Sequence, residues 1–471
     1  MTAAASTREA EALRQAAPAA HRAWEGRAAL VMGLGSFGGG AGAVRYLAAL
    51  GARVLVTDQR PAERLQGALR ELQGLDNVRF VLGAHRAADF EAAEVVVVNP
   101  AVRPADPLLK TARAAGAHLT SEIELFLEAV RSRVVAITGT QGKSSTTHAT
   151  HALLARCGRR AHLGGNIGVS LLPALPGIER EDFVVLELSS YQLEALSGSA
   201  AAARAEAVAV VNILEDHLER HGTIEAYAAA KQRILELLRP GGTAVLPGDD
   251  ARFAEWRFAG RRIRFSAQRE DVELRLHDGA FCWENVPLAR VADLALPGNF
   301  QQVNALVALG LAHCLGLAPE ELSRALPQVR GLEHRLQDLG LFSGRRVIDN
   351  AVSTTPDSTI SALRALPHGT VLVLGGRLKS LPLEELASVA RERVAHAVAF
   401  GEGGPNFAAA LRAGGIPVDV VATVEEAVAR ALQRGVPGAN VLFSPAGSSF
   451  DAYGNFEERA AAFRAAVRAH P

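Results

Sequence analysis

The sequence is poor in cysteine, in aromatic residues and in long apolar runs, and it has no excess of charge of either sign. Its three cysteines, Cys157, Cys282 and Cys314, are far apart and odd in number, so neither a disulfide framework nor a thiolate metal site is predicted. Lysine plus arginine equal aspartate plus glutamate, at 50 each, which gives no electrostatic argument for a nucleic-acid partner. Neither a signal peptide nor a bilayer-spanning run of about 18 apolar residues occurs. We expect a monomeric, cytoplasmic protein that binds no nucleic acid and does not insert into a membrane.

Apolar residues make up 49% of the 471 residues and charged residues 21%, which is enough for large cores. Valine-rich runs alternate with helical patterns, and this rhythm predicts parallel sheets with crossover helices. The predicted fold class is α/β, with three domains that are each built on a mainly parallel sheet flanked by helices. These are a Rossmann-like N-terminal domain, a P-loop central domain and a Rossmann-like C-terminal domain, expected over residues 1–121, 122–330 and 331–471. Shorter alternating segments over 261–296 suggest an antiparallel insertion.

The segment 136–148, AITGTQGKSSTTH, predicts a phosphate-binding loop between a strand and a helix, although its glycine spacing differs from the common G-x-x-x-x-G-K-[ST]. Gly139 and Gly142 allow close approach of the backbone, and N–H groups at a helix start attract phosphate oxygens. Lys143 would reach the β- and γ-phosphates, and Ser144 would ligate Mg²⁺. The alternative is an ordinary glycine-rich turn, which the combined glycine, lysine and serine spacing disfavours.

A second glycine-rich segment, GLGSFGG (33–39), fits the dinucleotide pattern G-x-G-x-x-G through Gly33, Gly35 and Gly38. Asp58 follows about 20 residues later, where an NAD-dependent enzyme would bind ribose. An oxidoreductase is therefore an alternative for this segment alone, but it leaves the later phosphate loop unexplained.

The variant loop GTQGKS and several later motifs resemble those of the Mur ligases, ATP-dependent enzymes that build the peptide of bacterial peptidoglycan. The matching motifs are GGNIG (164–168), ELSSYQLE (187–194), DHLERHG (216–222), AYAAAKQRI (226–234), GLEHR (331–335), GGRLK (375–379) and SPAGSSFDAYGNFEERA (444–460). The last motif is similar to the signature of the family member that adds D-glutamate. The resemblance implies an amide ligase of peptidoglycan precursor synthesis, with ATP and Mg²⁺ as cofactors. Its substrates would be UDP-N-acetylmuramoyl-L-alanine, activated as an acyl phosphate, and D-glutamate.

The resemblance also implies catalytic and metal-binding residues. The catalytic set is Lys143, His217 and Lys231, and the Mg²⁺ ligands are Ser144, Glu187, His217 and Lys231. The family carries CO₂ on the lysine that matches Lys231, and the carbamate would offer oxygen to Mg²⁺. From the residues alone, Glu187 would also suit a capping or ion-paired glutamate, His217 a structural histidine and Lys231 a solvated surface lysine.

Further residues match the family's ligand-binding positions. Those of the ATP site are Gly139, Thr140, Gln141, Gly142, Lys143, Ser144, Ser145, Asn304 and Arg335. Those of the uridine pocket are Ser36, Phe37, Asp58, Gln59 and Arg60, and those near the muramoyl and diphosphate groups are Asn166, Ser189 and Ser190. Those of the D-glutamate site are Thr354, Lys379, Ser449 and Phe456. Among these, Lys379 would supply the positive charge that an acidic amino acid requires.

Several positions depart from the family pattern. In the segment 349–355, DNAVSTT, Asn350 stands where the family has an acid that contacts the ATP ribose, and Val352 replaces a lysine. Asp349 would substitute only if the strand end shifted by one residue, which turns its side chain to the other face. Leu378 replaces a further acid. These changes keep a non-catalytic UDP-sugar-binding protein as an alternative, and an L-glutamate-adding ligase is another because no residue specifies chirality.

Overall fold

The structure is a computed structural model that describes residues 3–34, 38–167, 170–197, 203–296, 298–378 and 382–470. Within these residues the chain forms three sheets, of five, nine and six strands, with helices packed against them. The predicted α/β class with three sheet-based domains is therefore confirmed. The packing of the chain divides it into two compact units. The first unit consists of Met1–Leu294 and Val303–Val329, and the second unit consists of Ala295–Gln302 and Arg330–Pro471. The seams expected near 121 and 330 remain predictions.

The first part of the chain forms a parallel sheet that is covered on both faces. Its elements are α1 (Ala3–Ala16), α2 (Ala19–Arg22), β1 (Ala28–Met32), α3 (Gly39–Ala49), β2 (Arg53–Asp58), α4 (Gln66–Glu71), β3 (Val78–Leu82), α5 (Ala87–Glu91), β4 (Val95–Val98), α6 (Pro107–Ala114), β5 (His118–Thr120) and α7 (Glu122–Ala129). Five strands pair in parallel in the order β3-β2-β1-β4-β5. Leu30 and Met32 pack in one core with Phe90, whereas Ala29 and Val31 pack in a second core on the opposite face. Because both faces are buried, the strands read as continuous apolar runs.

The central part of the chain forms a longer sheet with a parallel half and an antiparallel edge. Its elements are β6 (Arg133–Thr138), α8 (Lys143–Arg156), β7 (Ala161–Gly165), β8 (Phe183–Glu187), α9 (Ser190–Glu194), β9 (Ala205–Val210), α10 (Leu218–His221), α11 (Ile224–Gln232), β10 (Leu238–Pro247), α12 (Arg252–Glu255), β11 (Arg261–Ser266), β12 (Leu274–His277), β13 (Ala280–Trp283), β14 (Val286–Arg290), α13 (Asn299–Cys314) and α14 (Pro319–Ala325). The strand order is β14-β13-β12-β11-β10-β9-β6-β8-β7. The antiparallel region expected over 261–296 is shorter than predicted, because β11 runs parallel to β10 and antiparallel pairing begins at β12.

The C-terminal part of the chain forms the third sheet. Its elements are β15 (Gln337–Phe342), β16 (Arg345–Asp349), α15 (Pro356–Ala365), β17 (Thr370–Gly375), α16 (Glu384–Arg393), β18 (Val394–Phe400), α17 (Gly404–Ala413), β19 (Val418–Val421), α18 (Val424–Arg434), β20 (Asn440–Ala446) and α19 (Phe456–Arg468). The order is β15-β16-β20-β17-β18-β19, and β15 alone among the described strands of this sheet runs antiparallel to its neighbour. The short 3-10 helices of the first and central parts are Ala62–Arg64, Leu175–Gly177, Arg233–Leu237, Val291–Asp293 and Leu326–Gln328. Across the described ranges, no helix combines the length and the apolar character that crossing a bilayer requires.

Candidate functional site

The predicted phosphate loop connects β6 to α8 at the centre of the parallel half of the second sheet. Ile137 pairs with Glu187 of β8 on one side, and Thr138 pairs with Val210 of β9 on the other. The loop therefore begins at the carboxyl edge, between two strands whose own following loops flank it. This is the position at which open α/β sheets bind ligands.

Gly142 ends the loop and is the N-cap of α8, with a left-handed φ of 77°. A Cβ at this position would lie 2.2 Å from Asn304 Oδ1, so glycine alone fits without displacing that side chain. Asn304 is buried, and its Oδ1 accepts a hydrogen bond from Thr146 Oγ1 (3.3 Å). The first N–H groups of an α-helix have no carbonyl one turn earlier, so the start of α8 favours a bound anion.

The other predicted ATP-binding residues of the loop surround this helix start. Lys143 Nζ donates to Thr140 O (3.1 Å), so the lysine side chain lies back over the loop. Ser144 is buried, Ser145 is half-buried and Gln141 is exposed. The loop thus places a cationic side chain beside the start of α8, just after the carboxyl end of β6.

Asn212, which belongs to none of the predicted site residues, holds the loop in place. Its Oδ1 accepts from the backbone N–H groups of Thr140 (3.1 Å) and Gln141 (2.9 Å), and its Nδ2 donates to Gln141 O (3.1 Å). Two N–H groups of the loop are therefore bound within the protein. A polar residue just after the buried strand β9 is the signal that marks Asn212, because carboxyl ends of central strands carry such groups.

Lys231 is buried on α11, so the surface-lysine alternative is wrong. Its Nζ donates to Gly139 O (2.7 Å) and to Thr138 Oγ1 (3.4 Å), and it lies 4.7 Å from the ring centre of Tyr227. Burial lowers the pKa of Lys231 to about 7, and the positive charge of Lys143 acts in the same direction. A substantial fraction of this amine is therefore neutral near pH 7, which is the nucleophilic form.

Glu187 lies at the end of β8 with its carboxylate buried. Its Oε1 accepts from Asn166 Nδ2 (2.7 Å), and the backbone N–H of Asn166 donates to Glu187 O (2.8 Å). Among the described residues, Glu187 Oε2 has no hydrogen-bond partner. A buried carboxylate oxygen without a donor is suited to a cation that the protein binds.

His217 is exposed on the loop between β9 and α10. Its Nδ1 lies 3.4 Å from Tyr191 Oη and 3.5 Å from Glu219 Oε1, and its Nε2 lies 3.6 Å from Asp216 Oδ2. Tyr191 follows Glu187 along the chain, so the tyrosine joins the loops after β8 and β9. In the described part of the chain, no group of three histidine, cysteine, aspartate or glutamate side chains is placed to hold a metal ion.

A cavity of about 940 Å³ lies between the carboxyl edge of the first sheet and residues close to the carboxyl ends of β7 and β8. The predicted residues Asp58, Gln59 and Arg60 line it on one side, and Asn166 and Ser189 line it on the other. Two predicted residues of the same set, Ser36 and Phe37, fall outside the described residues. Ser190 is buried and does not line the cavity; its hydroxyl contacts His221 Nε2 (3.1 Å).

Asp58 is a fixed acceptor at the end of β2. Its carboxylate accepts from the Arg60 guanidinium at 2.8 and 3.0 Å, from Arg60 N–H (2.9 Å) and from Leu34 N–H (3.0 Å). Although burial opposes ionisation, the hydrogen bonds from Arg60 and Leu34 lower the pKa of Asp58 below its ordinary value. The cavity wall therefore contains an ionised carboxylate whose orientation is set.

Two titratable residues of the cavity wall were not among the predicted site residues. Glu122 begins α7, and its Oε1 accepts from Ser170 Oγ (2.5 Å). Burial raises the pKa of Glu122 to about 7. His85 contacts Thr57 Oγ1 through Nδ1 (2.8 Å), and burial lowers its pKa. Neither lies in a motif, so only their three-dimensional position identifies them.

In the second unit, predicted residues follow neighbouring strands. Thr354 follows β16 and is half-buried, and Ser449 follows β20 and is buried. Phe456 begins α19 with its ring centre 6.1 Å from that of His334, and Arg335, the residue after His334 in the chain, is exposed. Lys379 falls outside the described residues. Because β16 and β20 are adjacent, the loops that carry Thr354 and Ser449 lie at one edge of the sheet.

Arg459, also outside the predicted set, contacts the loop that carries Ser449. It is fully buried, its Nη1 donates to Gly447 O (3.0 Å), and its Nε and Nη2 have no acceptor among the described residues. Burial lowers the pKa of Arg459 to about 10. Gly376 packs against the guanidinium so closely that a Cβ there would lie 2.6 Å from Nη1.

Asp349 and Asn350, at the end of β16 and just after it, contact different partners. The Asp349 carboxylate is buried and accepts from His334 Nδ1 (2.8 Å) and Arg464 Nε (2.8 Å). Asn350 points elsewhere, with Nδ2 donating to Ser444 Oγ (3.0 Å). Its Oδ1 accepts from Leu336 N–H (3.2 Å), so both polar atoms of the Asn350 amide have partners within the second unit.

Family models match three successive parts of the chain. They are the Mur ligase MurD-like N-terminal domain over residues 27–121, the Mur ligase middle domain over 137–312 and the Mur ligase glutamate ligase domain over 334–447. Among curated relatives, the UDP-N-acetylmuramoylalanine--D-glutamate ligase of Geobacter metallireducens is 39% identical, over 94% of this chain and 98% of its own. The protein of the same name from Chromobacterium violaceum is 38% identical, over 92% of this chain and 95% of its own.

Solved structures share the fold over most of the chain. UDP-N-acetylmuramate-alanine ligase MurC from Thermotoga maritima has a TM-score of 0.59 at 18% identity, covering 94% of this chain and 99% of its own. MurF from Acinetobacter baumannii has a TM-score of 0.59 at 19% identity, covering 96% and 98%.

The three sheets, the loop at the start of α8 and the cavity beside the first sheet define a P-loop α/β protein of three sheet-based domains. The two ligases that are 38–39% identical to this chain over nearly their whole length show to which family of this class it belongs. The chain belongs to the Mur ligase family, and the predicted membership is confirmed.

Proposed function

We propose that the protein is an ATP-dependent amide ligase that adds D-glutamate to UDP-N-acetylmuramoyl-L-alanine in peptidoglycan precursor synthesis. The observation that carries the proposal is its similarity to relatives named UDP-N-acetylmuramoylalanine--D-glutamate ligase, at 33–39% identity over 90–94% of the chain. Fold alone does not specify a reaction, whereas these relatives share one name and match this chain along all three sheet-based parts. In this proposal residues 1–121 bind the UDP-sugar, residues 122–330 bind ATP and residues 331–471 bind the amino acid. The active protein is a monomer.

A free carboxylate must be activated before an amine can attack it. Transfer of the γ-phosphoryl group of ATP to the L-alanine carboxylate gives an acyl phosphate and ADP. The amine of D-glutamate then attacks the carbonyl carbon, and phosphate leaves as the amide forms. Phosphoryl transfer depends on positioning and charge neutralisation. Lys143 and the start of α8 would supply positive potential at the transferred group.

Mg²⁺ would be held by Ser144, Glu187, His217 and a carbamate on Lys231. The buried Glu187 Oε2, which lacks a partner among the described residues, supports an oxygen ligand at this position. Bound Mg²⁺ would neutralise phosphate charge. Burial of Lys231 with a pKa of about 7 supports the carbamate, because the neutral amine is the form that adds to CO₂.

The sugar nucleotide would occupy the 940 Å³ cavity, whose size is within the range of about 300–1,000 Å³ for small-molecule sites. The ionised Asp58 would accept a hydrogen bond from the uridine, with Gln59 and Arg60 beside it. Asn166 and Ser189 would contact the muramoyl and diphosphate region. Asn166 also binds Glu187, which supports a position for the activated carboxylate next to the metal ligand.

D-Glutamate would bind to loops at one edge of the third sheet. Thr354, Ser449 and Phe456 supply two hydroxyl groups and an apolar ring, and Lys379 would supply the cation that pairs with a carboxylate. Retention of these residue types favours glutamate over an uncharged amino acid.

Phosphate release from ATP tests the proposal. Turnover is expected to require Mg²⁺, UDP-N-acetylmuramoyl-L-alanine and D-glutamate together, and Lys143→Met should abolish it while leaving the fold intact. Faster turnover with L-glutamate than with D-glutamate would identify an L-glutamate-adding ligase instead. Binding of the UDP-sugar without any turnover would indicate a non-catalytic protein. Light scattering of the purified protein tests the monomer.

A further inference from the structure

Two arginines connect the wall of the cavity to the loop that carries His217. Arg220 of α10 donates to the backbone carbonyls of residues 100–102 at 2.8–3.2 Å. In the opposite direction, Arg103 Nη2 donates to Glu219 O (2.9 Å). The segment after β4 and the segment before α10 are therefore joined by side chains from both sides.

Arg220 is held more tightly than a helical surface arginine. Its side chain is 5% exposed, and its Nε and Nη2 both donate to Glu194 Oε2, at 2.9 and 2.8 Å. Its Cζ lies 4.5 Å from the ring centre of Tyr191. Charge-assisted bonds, carbonyl bonds and ring stacking together fix the planar guanidinium in one position.

The residues that Arg220 contacts belong to the cavity wall. Residues 100–102 line the cavity, and so does Tyr191. Tyr191 also touches His217, with Oη 3.4 Å from Nδ1 and ring centres 5.2 Å apart. A ligand that settles against this wall would therefore act on the His217 loop both through Arg220 and through Tyr191.

We propose that Arg220 is a positioning residue that couples occupancy of the sugar-nucleotide cavity to the arrangement of the His217 loop, and so to binding of Mg-ATP. This inference rests on the proposed function for the identity of the two ligands. Coupling of this kind is reciprocal, so each ligand should tighten the binding of the other by the same factor.

Calorimetry with a non-hydrolysable imido analogue of ATP and Mg²⁺ tests the coupling. The dissociation constant of the analogue is measured with and without saturating UDP-N-acetylmuramoyl-L-alanine, and the reverse titration gives the reciprocal value. For the wild type we expect a tightening within the common range of about 5- to 150-fold. Arg220→Lys, which keeps the charge but loses the forked geometry, should reduce the factor to near 1.

Arg133 provides a matched control. It stacks on Phe183 (4.3 Å), donates to Glu206 (3.0 Å) and donates to the Leu315 carbonyl (3.2 Å), but it does not line the cavity. Arg133→Lys should retain the wild-type coupling factor.

The outcomes separate coupling from stability and from turnover. The inference is overturned if Arg220→Lys keeps the wild-type factor, even with a lowered melting temperature, or if the wild type shows no coupling. A wild type that couples the ligands but does not turn over with D-glutamate would leave the inference standing and reject the proposed reaction. A wild type that does not bind the sugar nucleotide would overturn both.

Discussion

Replacing Gly142 with alanine tests the geometry at the start of α8. A φ of 77° costs an L-residue about 1–2 kcal/mol. The new methyl carbon would also lie 2.2 Å from Asn304 Oδ1, well inside van der Waals contact. Moving packed atoms to relieve such an overlap costs about 1–3 kcal/mol. We therefore expect Gly142→Ala to lower the free energy of unfolding of the first unit by about 2–5 kcal/mol.

Gly158 and Asn304 allow the two causes to be separated. Gly158 has a φ of 74°, but no atom lies within 4 Å of a Cβ built there, so Gly158→Ala should show the backbone strain alone, about 1–2 kcal/mol. In the double variant Gly142→Ala with Asn304→Ala, the overlap is removed and the strain remains. A double-mutant cycle should therefore give a coupling energy of about 1–3 kcal/mol between positions 142 and 304.

The three tryptophans of the sequence, Trp24, Trp256 and Trp283, are buried and all belong to the first unit. Urea unfolding followed by tryptophan fluorescence therefore reports the unit that contains Gly142. Affinity for Mg-ATP should fall by at least ~10-fold in Gly142→Ala, because the helix start that favours phosphate is displaced. The reasoning is refuted if Gly142→Ala is no less stable than Gly158→Ala, or if removing the Asn304 side chain restores nothing.

Three further predictions concern buried ionisable groups. Burial raises the pKa of Glu122 from 4.5 to about 7, so the folded state binds a proton on this carboxylate more tightly than the unfolded state does. The resulting contribution to the free energy of unfolding, up to about 3 kcal/mol, is fully present below pH 4.5 and is lost as pH rises through 7. Urea unfolding should show a flatter pH profile for Glu122→Gln, and parallel profiles would contradict the assignment. Lys231→Ala should lose most ligase activity and regain part of it with acetate or formate, which replace a carbamate; rescue by small amines instead would exclude that role. Asp349→Ala should destabilise the second unit by about 3–5 kcal/mol, because the cation of Arg464 loses its buried partner. Hydrogen exchange of the third sheet measures this loss, and a change below about 1 kcal/mol would contradict it.

The sheets and the phosphate loop could be predicted because short-range patterns determine them. Continuous valine runs such as VVVV at 95–98 occur in strands buried on both faces, and these residues are buried here. The glycine-rich segment after β6 requires a left-handed residue at the start of a helix, and Gly142 adopts it. In both cases, residues close in sequence define the structure.

The connections between segments could not be predicted in the same way. Arg220 lies in a short helix whose pattern predicts a solvated surface, yet the backbone carbonyls to which it donates are about 120 residues earlier in the chain. Burial of Lys231 likewise depends on the loop after β6, about 90 residues away. The spacing of residues within a helix contains no information on contacts with distant segments. A helical arginine or lysine is therefore predicted to lie on the surface unless the positions of the neighbouring strands are known.

The order of the two residues at the end of β16 has a consequence for nucleotide recognition. Asp349, the last residue of β16, directs its carboxylate to His334 and Arg464, while the next residue, Asn350, contacts Ser444 Oγ and Leu336 N–H with a neutral amide. If position 350 contacts the ATP ribose, as the family resemblance implies, its hydrogen bonds to ribose hydroxyls are neutral rather than charge-assisted and weaker by roughly half. We therefore expect weak discrimination against 2′-deoxy-ATP, less than ~10-fold in kcat/KM, and Asn350→Asp should increase it. Strong discrimination by the wild type would show that another residue recognises the ribose.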